Sequence, residues 1–280
     1  MAASTGELLG LTDDELAALM VEWGEQPYRG RQLYQALYRR RQLDPGSMTE
    51  FSKSLRRKLA SCTITLPRLQ GRQRAADGTE KYLLELADGE KIECVLIPER
   101  KRNTLCISTQ AGCPLDCRFC LTAMLGFRRN LDPAEILGQI LYVLGDKDLA
   151  TGSTGDGSRP ALTNLVLMGM GEPLLNLQNV LKSLVILADP GGLALSPRRI
   201  TLSTVGLVPQ LRRLAQAPVV PNLAVSLSAT TDEVRDRLMP VNRRYPIEAI
   251  LQACADYPLK GNGNYIVDSL NPAFSALSLG

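Results

Sequence analysis

Cys113, Cys117 and Cys120 crowd into eight residues, Cys-Pro-Leu-Asp-Cys-Arg-Phe-Cys, a spacing that suits one compact thiolate-bound centre. A structural zinc would want four ligands, usually as two separated pairs, and the chain has no histidine and no second Cys-x-x-Cys to supply the other pair. A four-iron cluster held by three cysteines instead leaves one iron open to a substrate, the arrangement required of a cluster that performs chemistry. Three thiols that merely pack in a core fit less well, because Asp116 and Arg118 interleave them and Gly112-Cys113-Pro114 reads as loop. The absence of histidine also removes Ser-His-Asp and Cys-His nucleophile pairs and histidine acid–base catalysis. Chemistry must come from cysteine, carboxylate, lysine or a cofactor.

The elements that must position this run follow from hydrophobic periodicity. After Thr104 strands alternate with amphipathic helices: strands are expected over 104–108, 162–170, 199–203 and 222–227, with a doubtful one over 265–268. Leu177, Val180, Leu181, Leu184 and Val185 form one helical stripe, and Ile136, Leu137, Ile140, Leu141 and Leu144 another. Repeated strand–helix units imply a parallel sheet with helices outside. Ahead of it, Tyr82, Leu84 and Leu86 alternate, Asp88-Gly89 turns, and Ile92 to Ile97 returns, a hairpin signal. Residues 12–59 read as helical, opened by a Thr12/Glu15 capping box and broken at Asp44-Pro45-Gly46-Ser47 before a basic helix over 49–60. The Gly-, Ser- and Asp-rich stretch 146–160 reads as an exposed loop.

Composition bounds the function. With 280 residues, 45% apolar and 22% charged, the chain has the make-up of a soluble globular protein of about two domains. No apolar run approaches the roughly 20 residues that span a bilayer, and the acidic N-terminus lacks the pattern of a secretory signal, so no membrane and a cytoplasmic location are expected. Seven cysteines, an odd number, argue against a disulfide framework. The net charge of +3 is unevenly spread: residues 1–27 carry six acids and no base, whereas 28–74 carry twelve Lys/Arg against Asp44 and Glu50. That excess, with Tyr34 and Tyr38 recurring among the arginines, gives the helical domain an expected positive, tyrosine-studded surface, an electrostatic footprint for polyanions, with a solvated helix face as the alternative.

Phe119 before the last cysteine gives the run the form Cys-x-x-x-Cys-x-Φ-Cys, which resembles the signature of radical S-adenosylmethionine (SAM) enzymes. Asp77-Gly78-Thr79-Glu80-Lys81, Thr104-Leu105-Cys106, Gly126-Phe127-Arg128-Arg129-Asn130-Leu131, the nine residues from Met168 to Asn176, Ser203-Thr204-Val205-Gly206 and Pro240-Val241-Asn242-Arg243-Arg244 further resemble the RlmN/Cfr family of dual-specificity 23S rRNA/tRNA adenine-C2 methyltransferases. The resemblance covers roughly residues 12–260. It implies an α/β fold: a partial (β/α)6 radical SAM barrel, incomplete, over 104–280, a small basic helical RNA-binding domain over 1–75, and a β-hairpin linker over 76–103. It implies a 4Fe-4S cluster on Cys113, Cys117 and Cys120, with SAM held at its amino end by Gly171 and Glu172 and contacted by Ser203, Ser226, Leu227 and Ser228, the family usually having histidine at the last position.

By the same resemblance Glu93 is the proton acceptor; its apolar neighbours Ile92 and Val95 suit a desolvated carboxyl, with a solvent-facing strand glutamate as the alternative. Cys106 is the second catalytic thiol, which releases the product as a disulfide after a methylene radical, formed on a methylated C-terminal cysteine, has added to adenine C2. The implied partners are 23S rRNA, tRNA and an electron donor such as flavodoxin or ferredoxin, acting on a monomer. Cys62, Cys94 and Cys254 match no catalytic position and read as buried structural thiols. The sequence changes character after about Leu259 and ends at Gly280, which implies a truncated form without the methyl-carrying cysteine. Cys254 cannot replace that residue, because it sits in the helical stretch 247–255. A non-catalytic RNA-binding remnant and a radical SAM enzyme acting on a small molecule are the competing readings.

Overall fold

The computed structural model describes residues 6–100, 102–147, 149–151, 161–258 and 266–268. Helix α1 (Asp13–Glu22) opens on the expected capping box: Glu15 N donates to Thr12 Oγ1 at 3.3 Å and Thr12 N to Glu15 Oε2 at 2.8 Å. It ends sooner than periodicity suggested. Gly24 takes φ +77° just past the last turn, and Glu25 N reaches back to Met20 O, a left-handed C-terminal cap that separates α1 from α2 (Tyr28–Tyr38). The expected break at Asp44 is present, with Gly46 N donating to its carboxylate, and α3 (Lys53–Ala60) starts at a Ser52 cap.

The chain then enters a sheet through β1 (Arg68–Arg74), β2 (Glu80–Glu85), β3 (Lys91–Glu99) and β4 (Arg102–Cys106), an antiparallel meander. Strand β1 had no sequence signal, because Arg-Leu-Gln-Gly-Arg-Gln-Arg is almost wholly exposed: it is an edge strand kept soluble by charge. The hairpin expected over 76–103 is thereby part of the main sheet. After β4 come β5 (Gln110–Ala111), α4 (Leu121–Met124) and β6 (Arg129–Asn130), which frame the cysteine run, and then α5 (Pro133–Asp146). The remaining order is β7 (Ala150–Thr151), β8 (Ala161–Leu162), β9 (Asn164–Leu167), α6 (Leu177–Ala188), β10 (Ile200–Thr204), α7 (Val208–Ala215), β11 (Asn222–Ser226), α8 (Asp232–Leu238), α9 (Ile247–Ala255) and β12 (Ile266–Asp268).

The sheet has eight strands in the order β1-β2-β3-β4-β9-β10-β11-β12, parallel from β4 onward. Strands β1 and β12 are its two edges, so the expected six-stranded barrel is seen as an open sheet with five parallel strands among the described residues. Most of the stretch expected as a loop over 146–160 lies outside the described residues, as does most of the chain after Pro258. The doubtful last strand is present as β12.

Leu105, Leu165, Leu167, Ile200, Leu202, Leu223 and Val225 alternate onto one sheet face and pack under α5, α6 and α7 in a core shared with the N-terminal helices. Tyr34 and Tyr38 belong to that core, at 2% and 0% exposure, and pack edge to face with centroids 4.9 Å apart. Tyr38 Oη accepts from Gly10 N and donates to Leu11 O. The tyrosine-studded surface expected there reduces to Tyr28, which is exposed with the Arg29 guanidinium over its ring. The basic excess is reduced too, since Arg31, Arg40, Arg68, Arg72 and Arg74 pair with acids. Helix α3 keeps Lys53 and Arg57 exposed, with no acidic partner among the described residues.

Candidate functional site

The face of the sheet opposite the core carries the polar residues. Register pairs Val95 with Cys106, Cys106 with Val166, Val166 with Thr201 and Thr201 with Asn222. Side chains two residues apart share a face, so Glu93, Cys106, Ser203 and Ser226 all lie on it. Ser203 Oγ and Ser226 Oγ are 3.4 Å apart. Strand β11 ends at Ser226, so alternation does not carry through Leu227 and Ser228. Leu227 is buried, and Ser228 adopts φ +57°, a strained left-handed conformation for a residue with a side chain.

Beyond the ends of β4 and β9 the cysteine run meets a glycine-rich turn, in the crevice where open parallel α/β sheets bind ligands. Ser108 joins three segments: its Oγ donates to Glu93 O at 2.6 Å and accepts from Met170 N at 2.8 Å, while its backbone is held by Gln139. Gln110 Oε1 accepts from Glu172 N at 2.8 Å, and Asn176 Nδ2 donates to Thr109 O and Leu131 O. Gly171 is obligatory here: its φ is +95°, and a Cβ would lie 2.4 Å from Gln110 Cβ.

Glu172 is 4% exposed. Its two carboxyl oxygens accept from Leu174 N at 3.1 Å and Val205 N at 3.0 Å, tying the turn to the end of β10. Burial pushes its pKa up to about 7, the amides of Val205 and Leu174 and the Thr204 hydroxyl only partly opposing this. No cationic side chain pairs with it among the described residues, and a carboxylate retains acceptor capacity beyond three donors. A ligand ammonium is the group this buried carboxyl lacks, which fits the amino end of SAM.

The three cysteines sense one another. Burial pushes Cys113 up to about 11, with Glu172 and Cys120 adding to the rise and the backbone amides of Leu115 and Glu172 drawing it back. Burial pushes Cys117 up to about 12, reinforced by Cys120, Cys113 and Glu172 and opposed by Arg235. Burial is the larger cause in both, and it holds Cys113 and Cys117 protonated until a cation takes them. No three His, Cys, Asp or Glu side chains among the described residues are gathered tightly enough to enclose a single metal ion. The donor set, three soft thiols on one loop without a fourth, fits a cluster with a free corner better than a closed zinc shell.

Two expectations change. Glu93 is not desolvated: its side chain is 40% exposed, with Oε1 3.2 Å from Lys81 Nζ, because Ile92 faces the core while Glu93 faces the open side of β3. All seven cysteines are free thiols, so no disulfide is seen, and the one implied by the resemblance belongs to turnover. Burial pushes Cys106 up to about 12, so it rests as a thiol and needs a base before it can attack. Cys254 is buried in α9 within the core, in keeping with a structural thiol. Sequence reasoning missed Ser108, Gln110, Gln139 and Arg235, polar residues whose burial is created by tertiary contacts; no local pattern marks them.

The chain matches the radical SAM superfamily over residues 107–267 and the ribosomal RNA large subunit methyltransferase N-terminal domain over residues 6–64. It is 47% identical over 260 residues to a dual-specificity RNA methyltransferase RlmN of Rhodospirillum rubrum, covering 92% of this chain and 60% of that protein. The RlmN of Syntrophobacter fumaroxidans is 49% identical over 243 residues, covering 85% of this chain and 68% of its own length. A crystal structure of a radical SAM methyltransferase from Sphaerobacter thermophilus superposes with a TM-score of 0.81 at 39% identity, covering 90% of this chain and 72% of that one. The chain thus spans about 60% of the length of the first of these relatives and somewhat more of the others.

Proposed function

The chain belongs to the RlmN/Cfr family of the radical SAM superfamily, and on that footing we propose that it serves methyl transfer to C2 of adenine in 23S rRNA and tRNA. The observation that carries this reading is the meeting of the cysteine run with the Gly171-Glu172 turn, where Cys113 and Cys117 stand beside a buried carboxyl that lacks a cationic partner among the described residues. Cys113, Cys117 and Cys120 hold the 4Fe-4S cluster; Gly171 and Glu172 take the amino end of SAM, and Ser203, Ser226, Leu227 and Ser228 line its far side. When bound, the pair supplies one-electron reduction and radical hydrogen abstraction.

The protein's own groups do the rest. Gly171 keeps the turn free of a side chain, and Glu172 balances the ligand ammonium while pinning the ends of two strands. Glu93, open to the face and beside Lys81, is placed to accept a proton from the adenine. Cys106 lies on the same face with its thiol protonated, so it must give up its own proton to a second acceptor before its sulfur can attack. Lys53, Arg57, Arg29 and Tyr28 offer phosphate contacts and stacking to structured RNA. No helix among the described residues is long and apolar enough to cross a membrane. The reading further assigns a monomer in the cytoplasm, served by a flavodoxin- or ferredoxin-type donor.

The test is mass spectrometry of rRNA and tRNA from cells with and without the gene. Loss of 2-methyladenine supports the proposal; unchanged 2-methyladenine with retained RNA binding supports a non-catalytic RNA-binding protein. RNA affinity that does not respond to salt would point to a small-molecule substrate.

A further inference from the structure

Arg235, on α8, is 0% exposed and is among the largest fully buried side chains described. Its donors all go to neutral acceptors: Nε to Leu227 O at 2.9 Å, Nη2 to Val205 O at 2.6 Å and Ser226 O at 3.4 Å, and Nη1 to Asn242 Oδ1 at 2.6 Å. Asp232 and Asp236 are close by, yet their carboxylates take the two hydrogens of Asn242 Nδ2 rather than the guanidinium. Burying a cation without a contacting anion costs several kcal/mol, and a neutral amide could tie the same carbonyls at less cost. A cation is retained where an anion is still to arrive.

The cysteine run comes to this place. Arg118 N, one residue past Cys117, donates to Leu238 O at the end of α8 at 3.0 Å, which ties the cysteine run to the helix that carries Arg235. Three thiolates around a four-iron core make a net-negative assembly, more negative after one-electron reduction. The carbonyls that Arg235 holds belong to Val205, Ser226 and Leu227, at the ends of the strands assigned above to SAM.

We propose that Arg235 is a positioning residue that supplies the buried counter-charge of the cluster on Cys113, Cys117 and Cys120, raising its reduction potential while fixing the strand ends that face SAM. The inference rests on the cluster reading of those cysteines. It is tested by EPR-monitored redox titration of the full chain, reconstituted without oxygen, as wild type, Arg235→Gln and Arg235→Lys. Arg235→Gln is expected to shift the oxidised-to-reduced ratio at fixed potential at least tenfold toward the oxidised form, about 59 mV for a one-electron couple. Arg235→Lys, which keeps the charge and loses the planar fork, is expected to retain most of the wild-type potential.

A purely structural arginine would lower stability and iron content in both variants and leave the potential of the remaining clusters alone. A less than twofold shift in Arg235→Gln, or equal shifts in both variants, overturns the inference. Should Arg235→Gln not be recovered folded, Asp236→Asn decides. It keeps an acceptor for Asn242 and removes a negative charge from the same field, so the ratio must move at least twofold toward the reduced form; no movement overturns the inference. A wild type that takes up no iron and sulfide overturns the cluster reading and this inference with it, whereas a loaded wild type with an unmoved Arg235→Gln potential overturns this inference alone.

Discussion

Gly112 and Gly126 form a matched pair that isolates one steric effect at the cysteine run. Both adopt left-handed backbone, φ +74° and +72°, so alanine at either position meets the same conformational penalty of about 1–2 kcal/mol. Their surroundings differ. A Cβ on Gly126 would meet nothing within 4 Å, whereas one on Gly112 would lie 1.7 Å from Gly126 O. A backbone oxygen cannot rotate away, so the strand pair β5–β6 that closes the run must open, at about 1–3 kcal/mol or more beyond the shared penalty. Gly126→Ala should therefore lose about 1–2 kcal/mol and Gly112→Ala at least about 1–3 kcal/mol more than that. Urea unfolding of the cluster-free, reduced protein reads the difference. Gly112 adjoins Cys113, so iron uptake should fall in Gly112→Ala and persist in Gly126→Ala. Equal unfolding midpoints and equal iron uptake would refute the reasoning, because they would mean that the close approach of these two turns does not position the first thiol.

Other expectations follow from contacts already described. Ser108→Ala leaves Met170 N and Glu93 O without their buried partner and should cost about 2–4 kcal/mol by denaturant titration; a loss under about 0.5 kcal/mol would show that the three segments are not joined there. Burial pushes the carboxyl of Glu80 up, but Lys147 and Tyr82 hydrogen bonds and the Arg72 charge outweigh it, and its pKa lies below the ordinary 4.5. A depressed carboxyl contributes stability that is complete above 4.5 and is lost as pH falls through the folded value, so Glu80→Gln should flatten the acid limb of the melting-temperature profile; an unchanged limb contradicts it. Replacing Lys53 and Arg57 with alanine should weaken RNA binding and reduce the slope of log affinity against log salt by about 1–2, and an unaltered slope would remove α3 from the interface.

The chemistry of this protein was more legible than its packing. The cysteine run and the turn from Met168 to Asn176 are local in sequence, so a candidate ligand set could be named without tertiary information, whereas it is the sheet register that brings Cys106, Ser203 and Ser226 to one face. Leu227 and Ser228 fall outside that face because a strand's period holds only until its last pair. Strand β1 was invisible because an exposed edge owes its pairing to β2 and not to apolar residues of its own. Tyr34 and Tyr38, set among arginines, read as surface, yet they fill the space between α2 and the N-terminal segment. Arg235 lies in Thr-Asp-Glu-Val-Arg-Asp-Arg, which has every mark of a solvated helix; only the arrival of the β10 and β11 carbonyls buries it.

What Cys113, Cys117 and Cys120 hold decides the chemistry most directly. Mössbauer spectroscopy of iron-57-labelled, oxygen-free protein, with sulfide analysis of the same sample, should show a 4Fe-4S cluster whose one distinct iron site changes on adding SAM, and should show it lost when any of the three cysteines is replaced by alanine. Protein that carries zinc, or neither iron nor sulfide, under those conditions would contradict the account.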